Sequence, residues 1–358
     1  MAEWKQCKLS EIADIIMGQS PKSDYYNTEG KGIPFLQGNR TFGMKYPFFD
    51  TWTTKVTKEA QAGDVIMSVR APVGALNITT EDVCLGRGVC GLRMKNGRQD
   101  FLFYLMKFSM PQLLNKETGT IFGSVNRNDI SNLTVLVPED NVQDKVSHIL
   151  KNIDDKIENN NKINRNLSEQ CDAIYRDQFI TKSDSSWTMG YLSDLITVKY
   201  GKDHKKLEDG NIPCYGSGGV MRYVERPIYD HESVLIPRKG TLNNVMYVNV
   251  PFWSVDTMFY TVMKISNVAK FVYHYVKGKD LASMNAGSAV PSMTVDILNA
   301  MELQIPSSTA LAEFETIVQP LYKAMKDSEI ENKKLAELRD TLLPKLMSGE
   351  LDVSDLDI

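Results

Sequence analysis

Cysteine is scarce in this chain and shows no pairing pattern. Five residues (Cys7, Cys84, Cys90, Cys171, Cys214) are spread over 358 positions, an odd number with no CxxC spacing. This argues against a disulfide framework or a zinc ribbon and for a reducing compartment. Histidine is scarcer still. His148, His204, His231 and His274 are scattered, and no HExxH string occurs, so no metal site is expected. His148 reads as a solvated helix residue, and His274, set among aromatics, reads as half-buried packing. There is no Walker A string and no Asn-Pro-Pro-aromatic tetrapeptide of the kind amino-methyltransferases use. GRGVCG (86–91) matches GxGxxG, but LRMKNGRQ after it is a poor helix. It reads as a glycine-rich turn, not a dinucleotide or S-adenosylmethionine site. No stretch approaches the ~18 apolar residues of a membrane helix, and MAEWKQCKLSE has no apolar signal core. The expectation is a soluble cytoplasmic protein without catalytic residues, cofactor or membrane contact.

What the chain has in abundance is itself. Trp4, Leu9, Ser10 and Gly18 recur 183 residues later as Trp187, Leu192, Ser193 and Gly201, and Gly119 and Pro138 recur 168 residues later as Gly287 and Pro306. GTIFGSVNRNDISNLTVLVP (119–138) aligns with GSAVPSMTVDILNAMELQIP (287–306) without a gap. Length alone suggests two or three domains, but the repeat implies four segments in two copies: 1–138, 139–180, 187–306 and 307–350, with polar TKSDSSW (181–187) at the join. Composition is that of a globular protein, 42% hydrophobic and 24% charged. The net charge of −4 is unevenly distributed: +3 over 1–138, −3 over 139–186, +1 over 187–306 and −5 over 307–358. The acid lies on the segments between and after the modules, so the modules are open to a polyanionic partner.

Those acidic segments carry a helical signal. Val146, Leu150, Ile153, Ile157, Leu167, Cys171 and Ile174 keep a 4-3 spacing, as do Leu311, Phe314, Val318, Leu321, Met325, Leu335 and Leu342. This is a coiled-coil seam, interrupted at matching places by Asn160 and Asn164 in one helix and by Ser328 and Asn332 in the other. Polar residues at core positions fix register, so the two helices are expected to pack on each other. Pro138 and Pro306 precede them, the acids of PED (138–140) suit a helix N-terminus, and Asp154–Asp155 read as a solvated face. The modules read as α+β. Short strands are expected at 33–38, 64–70, 133–138, 233–238, 245–250 and 301–306, with one helix each at 101–114 and 269–278. LSEIADII (9–16) and LSDLITVK (192–199) read as apolar turns or short helices. The fold expected is α+β: two tandem α/β modules separated by two long antiparallel coiled-coil helices, related by a pseudo-two-fold repeat.

Polar loop residues are then the candidate working parts. In the first module these are Gln37, Asn39, Arg40, Arg70, Arg87, Lys116, Ser124, Asn126 and Arg127. In the second they are Tyr215, Ser217, Arg222, Arg238, Lys239, Asn243, Asn244, Asn285 and Ser288. Arg, Lys, Asn and Gln are the side chains that pair with guanine and adenine edges. Arg70 and Arg238 correspond by the 168-residue offset, and each ends an apolar strand. Gly119–Thr120 and Gly287–Ser288 open a loop at matching places, which reads either as a phosphate site, where a backbone N–H and a hydroxyl are suited, or as a plain turn.

The order and duplication of LSEIADIIMGQSP (9–21), GDVIMSVR (63–70), NRNDISNLTVLVP (126–138) and LAELRDTLLPKLMSGEL (335–351) resemble the specificity subunit of Type I restriction–modification systems, over the whole chain. The resemblance implies two target-recognition domains, each reading one half of an asymmetric bipartite site on double-stranded DNA. It implies helices that act as a spacer and dock two methyltransferase subunits, through which restriction subunits join, and a subunit that is itself non-catalytic. The acidic helix faces imply that DNA contact falls to the modules. A coiled-coil scaffold that binds no DNA, or a specificity region serving a Type II enzyme, are the competing readings.

Overall fold

In a computed structural model, which describes residues 3–114, 123–284 and 292–357, the chain forms two compact units. One comprises residues 1–161 with 329–358, and the other residues 162–328. Each unit therefore holds one module and half of each long helix, a division that cuts across the four sequence segments.

The first unit is built on an antiparallel sheet in the order Ala13–Met17, Val89–Met94, Val65–Ser68, Leu76–Ile78. Both faces of this sheet are covered. Val65, Met67 and Val69 point into the main core with the helix Gln99–Leu114, whereas Ile66 points into a smaller core with Leu36, Val83, Leu85 and Val89. Burial on both sides explains why DVIMSV reads as an unbroken apolar run and not as an alternation. Each such side chain contributes about 1.5–3 kcal/mol. The smaller core is closed by a second sheet that includes Ile33–Leu36, parallel to Val83–Leu85. The second unit repeats the plan. Its sheet runs Ile196–Tyr200, Met258–Met263, Ser233–Pro237, Met246–Val248. Val234 and Ile236 face the helix Ala269–Lys277, and Leu235 faces a smaller core with Cys214, Val224 and Phe252. Parallel pairing again joins Asp209–Gly216 to Trp253–Ser254.

The opening segments differ from the expectation of turns or short helices. Only Leu9–Ile12 and Leu192–Leu195 are helical, and Ala13–Met17 and Ile196–Tyr200 are strands. Ile15, Ile16, Ile196 and Val198 are β-branched and fit a pleated surface, and the strands Val89–Met94 and Met258–Met263 offer each a free edge.

The long helices run Asp140–Arg176, followed by a π-helical turn at Asp177–Thr181, and Ser308–Met347. Their halves pack antiparallel in each unit. In the first, Asn160 donates to Asn332 (2.8 Å) and Glu331 (2.7 Å), and Asn332 returns a bond to Asn161 (2.9 Å). In the second, Asn164 donates to the Met325 carbonyl (3.2 Å). Asp154 is a correction. It is buried, not solvated, accepting from Tyr104 (2.8 Å) and Arg339 (2.8 Å). Asp155 is half-buried and pairs with Lys45 and Lys151. The helix is covered by the module as well as by its helical partner, so the face beside the seam that carries Gln143, Ser147 and Asp154 is buried too. His148 is exposed. His274 is buried rather than half-buried, because the helix half that carries Asp172 closes over it.

The chain's end completes its beginning. Leu343, Leu346 and Met347 join the core that holds Trp4, as Tyr175 and Phe179 join the core that holds Trp187. Gly349 follows the last helix at φ +76°, where a side chain would be strained, and a Cβ there would lie 2.5 Å from Trp4 Nε1. Both observations favour glycine at that position.

Candidate nucleic-acid interface

Three loops meet at one edge of the first module. Residues 37–39 follow the strand Ile33–Leu36, residues 70–71 follow Val65–Ser68, and residues 86–88 form the turn between Val83–Leu85 and Val89–Met94. Backbone bonds lock them: Gly86 N–H donates to Leu36 (2.8 Å), Gly88 to Gln37 (3.1 Å), and Val69 to Gly88 (2.9 Å). The turn is glycine-rich because it must lie this close. A Cβ on Gly88 would sit 2.3 Å from the Gln37 carbonyl, and one on Gly86 would sit 2.8 Å from Gln37 Cα. The GRGVCG string is thus a packed turn leading into a strand, and Arg87 between the two glycines is exposed, its own N–H held by Ser20 Oγ (3.1 Å).

The loops enclose a cleft of about 240 Å³ lined by Gln37, Gly38, Asn39, Arg70, Ala71, Arg87 and Gly88. Four of the sequence candidates are brought together here. Two guanidiniums and two amides line the cleft without a carboxylate, which suits a phosphate or the acceptor edge of a purine. Ser124 lies beside Arg70 in an isolated backbone bridge.

The second module repeats this frame. Val255 N–H donates to Tyr215 (3.0 Å), Arg238 to Thr257 (2.8 Å), and Met293 to Arg238 (2.9 Å), where the first has Gly86 to Leu36, Val69 to Gly88, and Val125 to Val69 (3.1 Å). Sheet register fixes the correspondence. Ser68 faces Val89 and Pro237 faces Met258, a shift of 169 residues on both strands. The counterpart of Arg70 is therefore Lys239, which bridges Ser292 as Arg70 bridges Ser124. Arg238, paired with Arg70 by the 168-residue offset, corresponds to Val69, because the second module has one residue fewer between its central strand and the stretch 287–306. Arg238 lies over the Tyr200 ring (5.4 Å) and donates to the Asp256 carbonyl (3.4 Å).

Other candidates are engaged in the scaffold. Arg40 pairs with Asp50 (2.7 Å), holding that carboxyl below its usual range mainly through the hydrogen bond. Arg222 ties Asp209 (2.7 Å) to the Leu207 carbonyl (3.0 Å). Asn126 caps the short helix Arg127–Ser131, accepting from Asn128 (2.8 Å) and Asp129 (3.1 Å), with Arg127 exposed beside it. Asn243 links Asp280 (3.0 Å) to the Ala282 N–H (3.0 Å). Asn244 donates to the Ser217 carbonyl (2.8 Å), which joins those two candidates, and Tyr215 packs edge-on to Phe252. Lys116, Asn285 and Ser288, with Gly119–Thr120 and Gly287, lie outside the described residues. Tyr200, under Arg238, and the exposed Lys202, Lys205 and Lys206 of the run GKDHKK (201–206) were not among the sequence candidates.

Among the described residues, no group of three His, Cys, Asp or Glu side chains could hold a metal ion, and no helix is long and apolar enough to cross a membrane. Burial raises the Cys90 thiol to about 12 and Cys171 to about 11, so neither is a reactive thiolate.

Residues 1–169 and 184–340 both match the Type I restriction modification DNA specificity domain. The chain belongs to this family. Among its relatives is the MjaIX Type I restriction enzyme specificity subunit of Methanocaldococcus jannaschii, 22% identical over 99% of this chain and 95% of the relative. A second protein of that organism, described as a putative MjaX specificity subunit, is 39% identical over 48% of this chain, a stretch that spans 40% of the relative's own length. The crystal structure of the Type I restriction–modification S subunit from M. genitalium has the same fold, with a TM-score of 0.63 at 18% identity, covering 97% of this chain and 96% of that one. The specificity-domain family thus accounts for both copies of the module and for most of both long helices.

Proposed function

We propose that this chain chooses the DNA sequence on which a cytoplasmic Type I restriction–modification complex acts, and that methylation and cleavage are carried by its partners. The recognition domains are residues 1–138 and 187–306, each reading one half of an asymmetric bipartite site on double-stranded DNA. The helical segments 139–180 and 307–350 space the halves and dock two methyltransferase subunits, through which restriction subunits join. The observation that carries this reading is one hydrogen-bonded loop frame, made twice, with different side chains on it. A shared frame with unequal loops suits two unequal half-sites. In the first module the DNA contacts are Gln37, Asn39, Arg70 and Arg87, with Ser124 at the edge. In the second they are Ser217, Arg238 and Lys239, with Asn244 holding the Ser217 loop. Phosphate contacts fix the register of each module, and base-edge contacts fix its choice.

The test is methylome sequencing of cells carrying the chain with its methyltransferase subunit, beside cells carrying the methyltransferase alone. The expected outcome is a bipartite motif methylated only in the first. Association of the two soluble proteins without any new motif would instead favour a scaffold whose modules select no DNA.

A further inference from the structure

The register that equates Arg70 with Lys239 also equates Arg87 with Asp256. Both are the middle residue of the turn leading into the central strand, Gly86–Gly88 in one module and Val255–Thr257 in the other. In each, the turn is closed by the same bond, Val89 N–H to Gly86 (3.1 Å) and Met258 N–H to Val255 (2.9 Å). Each turn is also backed by the same glycine: a Cβ on Gly18 would meet the Gly86 carbonyl at 2.1 Å, and one on Gly201 the Val255 carbonyl at 2.0 Å. The neighbouring strands add a further matched pair, Gln19 N–H to Leu85 (2.8 Å) and Lys202 N–H to Ser254 (2.8 Å). On this common frame the exposed side chain is a five-donor cation in one module and an acceptor-only anion in the other.

The geometry points to this turn residue as a base selector of opposite polarity in the two modules, an inference that rests on the DNA-reading function. Arg87 donates to the O6 and N7 acceptors of a guanine in one half-site. Asp256 accepts from the N4 amino group of a cytosine in the other. An exposed carboxylate at a place that faces a polyanion is repelled unless a base donor meets it. Lys239 and Arg238 beside the Asp256 turn supply the positive charge that holds the phosphates there, as Arg70 does beside Arg87. Neither turn side chain is needed by the core, so substitution leaves folding intact, which thermal unfolding of each variant checks.

The experiment uses the full chain assembled with its methyltransferase subunit. Binding is measured against a set of duplexes in which each base pair of the wild-type motif is substituted in turn. Arg87→Ala is expected to lose discrimination at one G·C pair of one half, on the order of tenfold or more, with the other half unchanged. Asp256→Asn is expected to relax one pair of the other half by a similar factor, and Asp256→Arg to move that preference from cytosine to guanine. Two results overturn the proposal while leaving the DNA-reading function in place. One is unchanged preference at every position. The other is uniform weakening by Arg87→Ala with a salt slope lower by about one, the signature of a phosphate contact. A wild-type complex with no preference among the duplexes would instead remove the DNA-reading function itself, and the selector with it.

Discussion

His274 shows how much one side chain's surroundings escape a reading of its neighbours in sequence. Its aromatic context marked it as packing, and it does stack on Tyr175. The structure adds a polar chain that no local pattern announces. The ring's Nδ1–H donates to Asp172 (2.7 Å), the Tyr322 hydroxyl donates to Nε2 (3.0 Å), and Lys277 holds the other Asp172 oxygen (2.8 Å). Burial dominates over the neighbouring carboxylate and lowers the His274 pKa from 6.5 to about 4, so the folded state keeps it neutral. The unfolded chain binds this proton at higher pH than the folded one does. Stability from this group is therefore complete above pH 6.5 and is lost as pH falls from 6.5 towards 4, amounting to roughly 3 kcal/mol over that window. Asp172, held below its ordinary value where Lys277 and His274 outweigh its desolvation, loses its own contribution only at lower pH. Denaturant unfolding between pH 7 and 4 is expected to show this slope in the wild type, and His274→Gln, which keeps a donor and an acceptor but does not titrate, is expected to flatten it. Equal slopes in both proteins would mean that His274 is protonated in the fold. The candidate DNA residues show the same limit of sequence. Arg70 and Arg87 were legible as cations at strand ends and turns. Asn126 and Asn243 were not distinguishable from them, because an amide that caps a helix and an amide that reads a base are the same residue type.

At the scale of elements, periodicity carried the long helices well, since a seam of 4-3 spacing over about eight turns has no competing interpretation. It carried the segments 9–16 and 192–199 poorly, where four helical residues pass into a strand whose partner is far away in sequence. It also missed the burial of Asp154, because a two-helix pattern cannot show a third surface. The Asn160–Asn332 pair is the element-scale feature with a measurable consequence. Asn160→Leu alone leaves the half-buried Asn332 amide oxygen without its donor, while Glu331 stays exposed beside Lys156 (3.6 Å), and is expected to cost about 1–3 kcal/mol. The double variant Asn160→Leu/Asn332→Leu is expected to recover that loss or exceed wild-type stability, since leucine at a seam position packs well while the amide pair fixes register. Thermal denaturation of both variants decides it, and a double variant less stable than the single one would show that the amides stabilise the pair as well as specify it.

At the scale of the molecule, the repeat is closed on itself. The last helix and Gly349 pack against Trp4 as the first long helix packs against Trp187, so the first unit joins residues 1–161 to residues 329–358, whereas the second is the continuous stretch 162–328. The duplication was legible because the frame residues are retained, Gly18 with Gly201 and Leu9 with Leu192 among them. The one-residue shift that pairs Arg70 with Lys239 was not, because it is set by strand register and not by the ungapped alignment downstream. If each module reads its own half-site, the halves must be separable. The direct measurement is the methylome of cells carrying the methyltransferase subunit with a chain whose residues 1–138 are replaced by the first module of a relative, beside the same cells with the wild-type chain. The account predicts a motif changed in one half, with the other half and the length between them unchanged. A motif altered in both halves, or in neither, would contradict it.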